Sequence, residues 1–277
     1  MTGRCCRTAS LGVFAAIVLA VLAGCSAPSA KLAGVSLTDI DLQSVTIVFN
    51  VELTNPNASA LPLANVDYEL SSQGNSFFTG EAPLQGEVPA RGTKTVSLPA
   101  KIAYAQLLTA LANVKLGSVL PYKAQLGLSV NVPILGKLRL PVSREGNLPV
   151  PAAPGVELAG VKWDKLTLDN AGGVFTLHLT NRNQFPLELE TMSYSLMLGT
   201  MDVARSSLAR PVALGANGGE GTMEIPLSFS PRKFGLAALG MLTGNRGYSL
   251  SGEIVVKTSY GPMRMPFARS GNISPSR

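Results

Sequence analysis

The feature that most constrains this chain is a stretch it writes twice. Residues 51–63 read VELTNPNASALPL and residues 177–189 read LHLTNRNQFPLEL. Each carries Leu-Thr-Asn-x-Asn, a short gap and Pro-Leu, and Asn55 and Asn181 lie 126 positions apart. A period that long belongs to a whole domain copied in tandem, because solenoid repeats are far shorter.

The flanking pattern keeps the same offset. Phe49, Val51 and Leu53 alternate with Asn50, Glu52 and Thr54, as Phe175, Leu177 and Leu179 alternate with Thr176, His178 and Thr180. Alternation with period two predicts strands buried on one face. Val66, Tyr68 and Leu70 are answered by Met192, Tyr194 and Leu196. Tyr122 to Val130 is answered by Tyr248 to Val256, and Leu138, Leu140 and Val142 by Met263, Met265 and Phe267. Pro141 and Pro266 interrupt the last pair and predict sheet edges, since proline cannot donate to a ladder. Each copy also holds one helical candidate. One runs from about Ala103 to Asn113, with Leu107, Leu108 and Leu111 on one face. The other follows Ser230-Pro231, with Phe234, Ala237, Ala238 and Met241 at helical spacing.

Short, evenly spaced alternating strands predict antiparallel sandwiches rather than parallel sheets. The expected fold is mainly β: two tandem immunoglobulin/fibronectin-like antiparallel β-sandwiches, each with one short helix. The expected domains are 34–148 and 155–273. Between them residues 149–154 form a linker whose Pro149, Pro151 and Pro154 predict a semi-rigid spacer, and residues 274–277 form a tail. Trp163, the single tryptophan, opens the second copy, and neither copy has the Cys…Trp…Cys spacing of antibody domains.

Upstream, Arg4 and Arg7 precede an apolar run from Leu11 to Ala23, too short for a bilayer span and right for a signal-peptide core. It ends in Leu22-Ala23-Gly24-Cys25, the pattern of a bacterial lipobox. Residues 1–24 are therefore read as a lipoprotein signal peptide. Cys25 is the expected lipidation site and residues 25–33 the tether. Several acyl chains anchor a protein stably where one does not. Ser26, in place of Asp, favours the outer membrane, so the expected location is the bacterial cell envelope, lipid-anchored at the outer membrane and facing the periplasm. Cys5 and Cys6 leave with the signal, so the mature chain has no thiol left for a disulfide and relies on its core.

Without Arg4 and Arg7 the 23 basic residues become 21 against 17 acidic ones, scattered rather than clustered. No basic stripe points to nucleic acid. His178, the one histidine, falls on the polar face of its strand where the first copy has Glu52, an interchangeable surface position. No Cys/His cluster has metal spacing, and no G-x-S-x-G elbow or phosphate loop occurs. The expectation is a non-enzyme without cofactors.

The repeated turn is read as structural. Asparagine accepts left-handed backbone, and its side chain can bond a backbone group two residues on. Asn55, Pro56 and Asn57, with Pro62, and Asn181 and Asn183, with Pro186, are thus expected to end one strand in a fixed turn and restart an extended segment away from the first sheet. A binding loop is the functional alternative, since loops at sandwich ends often carry function.

Two copies of an alternating strand ending in LTNPN or LTNRN, then Pro-Leu, then a Tyr-bearing strand, resemble the WHy domain (water stress and hypersensitive response) of the late-embryogenesis-abundant type 2 family. The resemblance covers nearly all of residues 34–273, and the second copy departs from it with Arg182 in place of proline. It implies a folded sandwich and a role in desiccation, cold or related stress through protection of client proteins, with no catalytic residues. A composition 46% hydrophobic and 14% charged agrees with a folded chain. Two other expectations stand beside it. One is lipid or hydrophobic-ligand handling, drawing on the apolar stretches 102–120 and 234–242. The other is an immunoglobulin-like scaffold for envelope assembly.

Overall fold

The computed structural model describes residues 27–133, 135–234 and 246–273. Residues 1–24, read above as a signal peptide, Cys25, the tail 274–277 and Ala237, Ala238 and Met241 of the second helical candidate lie outside the described residues.

Among the described residues, eight strands occur in each half. In the first they are β1 (Ser29–Thr38), β2 (Ser44–Asn55), β3 (Leu61–Ser72), β4 (Asn75–Pro83), β5 (Glu87–Val88), β6 (Gly92–Ala103), β7 (Val119–Val132) and β8 (Gly136–Pro149). In the second they are β9 (Gly155–Leu166), β10 (Ala171–Thr180), β11 (Leu187–Leu198), β12 (Met201–Leu208), β13 (Val212–Leu214), β14 (Glu220–Phe229), β15 (Arg246–Thr258) and β16 (Gly261–Ile273). β3 and β11 start and end 126 residues apart.

Each half forms two sheets with the same strand order. The first has β1-β2-β6 and β4-β3-β7-β8, with β5 added to β3; the second has β9-β10-β14 and β12-β11-β15-β16, with β13 added to β11. The chain is two tandem antiparallel β-sandwiches. β8 and β16 are outer strands, and each carries its proline, Pro141 or Pro266, where a ladder donor is dispensable.

The alternation read from sequence is the burial pattern. Phe49, Val51 and Leu53 are buried with Val66, Leu70, Ala124, Leu126 and Leu128 in the first core. Phe175, Leu177 and Leu179 are buried with Met192, Leu196, Ile254, Val256 and Met265 in the second. Each fully buried side chain of this size contributes about 1.5–3 kcal/mol of apolar transfer.

By compactness the described chain divides into two units. One comprises residues 27–36 with Val48–Ala100 and Lys123–Glu145. The other comprises Leu37–Ile47, Lys101–Tyr122 and residues 146–273. Within the second unit the helix α1 (Tyr104–Ala110) buries Tyr104 and Leu107. It stops earlier than its periodicity suggests because Leu111 turns extended, at φ −125°. The candidate after Ser230 is described only as a 3₁₀ turn, Pro231–Phe234.

Candidate functional site

The repeated turn is where the two halves are most alike. Asn55 ends β2 with its side chain buried, 1% exposed. Its Nδ2 donates to the carbonyls of Ser59 (2.8 Å), Val88 (3.3 Å) and Pro89 (3.0 Å). Its Oδ1 accepts the N–H of Asn57 at 3.0 Å. One side chain therefore closes its own turn and ties it to the β5–β6 loop.

Asn181 repeats every one of these bonds. Its Nδ2 donates to the carbonyls of Phe185 (2.8 Å), Leu214 (3.4 Å) and Gly215 (2.8 Å), and its Oδ1 accepts the N–H of Asn183 at 2.9 Å. The backbone joins in: Arg91 N–H donates to the Asn57 carbonyl, and Asn217 N–H to that of Asn183, both at 2.8 Å.

The left-handed backbone expected of the motif asparagines is not there. Among the described residues the non-glycine positions with positive φ are Asp39, Gln73, Arg91 and Asn217. Arg91 (φ 50°) and Asn217 (φ 56°) occupy the facing loop at equivalent places. The motif asparagines serve through their amides instead, and the strained residue sits on the partner strand's approach. Pro56, Pro62 and Pro186 are exposed, as is Arg182 at the place of Pro56.

The copies differ at the second asparagine. Asn57 is only half-buried, whereas Asn183 is fully buried. Asn183 Nδ2 donates to the Ala152 carbonyl at 3.0 Å, and its Oδ1 accepts the Ala152 N–H at 2.8 Å. Next to it, Gln184 N–H donates to the Gly117 carbonyl at 2.7 Å, and Gln184 Oε1 accepts the Val119 N–H at 2.9 Å. Gly117 N–H and Val150 N–H bond Val150 and Ser118 carbonyls at 2.6 and 2.9 Å. Gly117 has φ +88°, and a Cβ there would collide with the Arg182 carbonyl. All of this lies within the second unit.

Residues 149–154 are therefore not the free semi-rigid spacer their prolines suggest. Pro149, Val150, Pro151 and Pro154 are buried, and both polar backbone groups of Ala152 are held by Asn183.

A shallow, open groove of about 430 Å³ lies beside the second turn, walled by Pro186, Leu187, Ala213 and Leu214, with Glu188 and Lys257 at its rim. Tyr104 and Leu107, expected among the surplus apolar residues, are instead core, 2% and 0% exposed. His178 lies on its strand's outer face with Nε2 3.5 Å from Glu220 Oε1. Among the described residues no group of His, Cys, Asp or Glu could hold a metal ion.

A second repeated arrangement could not be read from the sequence. In the first half Asp67 on β3 lies opposite Gly127 on β7. Arg139 reaches from β8 across Gly127 to Asp67, with Nε 3.0 Å from Oδ1 and Nη2 on Oδ2. This holds the Asp67 carboxyl below its ordinary value, chiefly through the Arg139 hydrogen bonds. In the second half the corresponding positions are Ser193, Glu253 and Arg264, with Arg264 paired in register to Val255 and so diagonal to Glu253. Arg264 now pairs with Glu253 at 3.1 Å, one strand nearer. Alternation alone does not reveal which exposed charges meet across neighbouring strands.

Comparison with known proteins follows the repeat. The family model described as late embryogenesis abundant protein (LEA_2) matches residues 50–146 and again residues 176–271. The chain is 26% identical over 124 residues to the cotton (Gossypium hirsutum) late embryogenesis abundant protein Lea14-A, covering 45% of this chain and 82% of that protein. It is equally similar, 26% over 124 residues with the same coverage, to the soybean (Glycine max) desiccation protectant protein Lea14 homolog. A solution structure of the Arabidopsis thaliana protein AT1g01470 matches 44% of this chain and 82% of its own, at 24% identity and a TM-score of 0.37. Each of these matches spans close to one repeat period.

Proposed function

This chain belongs to the late embryogenesis abundant type 2 family, with the family domain present twice, and on that premise we propose that it is a non-enzymatic protective protein of the bacterial envelope. It shields client proteins from aggregation as water is lost. The observation that supports this best is the duplication itself: the domain shared with desiccation-related relatives occurs twice, each copy closed by the same asparagine network. A rigid sandwich with polar outer strand faces presents many weak hydrogen-bonding contacts to neighbouring proteins and costs little ordering entropy on contact.

The lipobox at Leu22–Cys25 supports anchoring through a lipidated Cys25 at the outer membrane, facing the periplasm. Clients would then be envelope proteins, and nucleic acid is not a partner.

The test is light scattering by an aggregation-prone enzyme dried and rehydrated with this chain. Scattering suppressed well below that seen with an equal mass of an inert globular protein supports shielding. Equal scattering removes it. In that case the groove between Pro186 and Leu214 makes a hydrophobic ligand the reading to take up, through native mass spectrometry of the purified chain.

A further inference from the structure

The repeat supplies an internal control for one end of the first sandwich. In the second copy, the turn at Asn183 and Gln184 is covered by residues 117–119 and 150–152. In the first copy, Pro56, Ala58 and Ser59 are exposed, and the positions that answer 150–152, residues 24–26, lie outside the described residues.

The same end carries the β7–β8 hairpin tip. Val130 lies opposite Leu63 near the start of β3, so β7 runs out beside the Asn55 turn. Here the copies diverge. The second tip is two residues, between paired Thr258 and Gly261, and its Tyr260 ring packs on Phe185 at 5.4 Å. The first tip, between Val132 and Gly136, is one residue longer. This insertion is why the offset falls from 126 at Tyr122 and Tyr248 to 125 at Leu138 and Met263. It leaves Leu135 76% exposed, with Lys137 and Arg91 exposed at the same end. Arg91 is placed there by its bond to the Asn57 carbonyl.

The chain entry fixes what this end faces. In the second copy Gly155 pairs with Thr180, and the positions 126 earlier are Ser29 and Thr54, in the neighbouring strands β1 and β2. Ser29, already in β1 although residues 25–33 were expected to be tether, therefore enters at the Asn55 end. It follows Cys25 by four residues, which reach at most about 13 Å. An interfacial apolar group buries about 5–10 Å into the headgroup and acyl boundary, so a tether this short holds the tip within reach of it.

We propose that the turn-bearing end of the first sandwich docks on the lipid surface, with Leu135 inserted at the headgroup–acyl boundary and Arg91 and Lys137 against lipid phosphates. This rests on the anchoring at Cys25 proposed above. The insertion makes the tip a membrane contact in the first copy alone.

The mature lipoprotein has no thiol besides the acylated one, so single cysteines can be labelled cleanly. Full chains carrying Leu135→Cys, Lys137→Cys or, as control, Ser259→Cys are labelled with an environment-sensitive dye. They are then reconstituted in phosphatidylethanolamine–phosphatidylglycerol vesicles and floated. A blue shift and quenching by brominated lipid at residues 135 and 137, with neither at 259, is the expected result. Flotation with all three dyes in water overturns the docking while the anchor stands. Failure to float removes the anchor and the docking with it.

Discussion

Asn181 holds the carbonyls of Phe185, Leu214 and Gly215, and Asn55 holds those of Ser59, Val88 and Pro89, each set 126 residues from the other. A primary amide is suited to this place because it offers donors and an acceptor on one short, uncharged side chain.

Asn55→Ala or Asn181→Ala leaves three carbonyls without this donor and one N–H without its acceptor. Each replacement is expected to cost about 3 kcal/mol, the scale of unsatisfied buried polar groups. Urea unfolding measures the loss. Amide exchange localises it, at Asn57 and Arg91 for the first and at Asn183 and Asn217 for the second. Asn→Asp is expected to be worse, since a carboxylate would face the same carbonyls.

Limited proteolysis with peptide mapping is expected to spare residues 149–154, because Ala152 is held on both backbone groups by Asn183. Asn183→Ala frees that backbone and is expected to make the segment an early cleavage site. Early cleavage there in the unaltered chain would mean the clamp does not hold.

Arg139 crosses β7 over Gly127, where an added Cβ would meet its guanidinium. Gly127→Ala is expected to displace Arg139 and let the Asp67 carboxyl return toward its ordinary 3.8, read by carboxyl NMR titration. A depressed carboxyl gives stability that is present above its unfolded value and lost as pH falls through the folded one. Both partners are more than a third exposed, so the contribution is under about 1 kcal/mol.

Tyr104 is 2% exposed, and its hydroxyl has no hydrogen-bond partner among the described residues. Burial, with Asp41 nearby, pushes its ionisation above the ordinary 10.0. A raised folded value means stability is full below pH 10.0 and declines as pH rises beyond it. Tyr104→Phe is expected to be neutral or stabilising by up to about 1 kcal/mol at neutral pH. It is also expected to weaken the alkaline decline, measured by urea unfolding across pH.

Much of this was legible because strand burial has period two. Phe49 to Leu53 and Phe175 to Leu179 announced their faces, and Pro141 and Pro266 their edges. Residues 144–147 (REGN) and 269–272 (RSGN) also match, for a physical reason: Tyr122 lies over Gly146, as Tyr248 lies over Gly271. The asparagines were legible as turn formers, but their longest reach was not. Val88 and Pro89 are 33 and 34 residues from Asn55, and no local rule links them. The clamp on Ala152 was hidden for the same reason. Proline-rich chain reads as a spacer until a distant amide is seen holding it.

Client shielding is measured most directly as recovered enzyme activity after drying. A labile enzyme is dried with residues 26–277 of this chain, rehydrated, and compared with an equal mass of an inert globular protein. Clearly greater recovery with this chain is expected. Recovery no better than the inert control would contradict it.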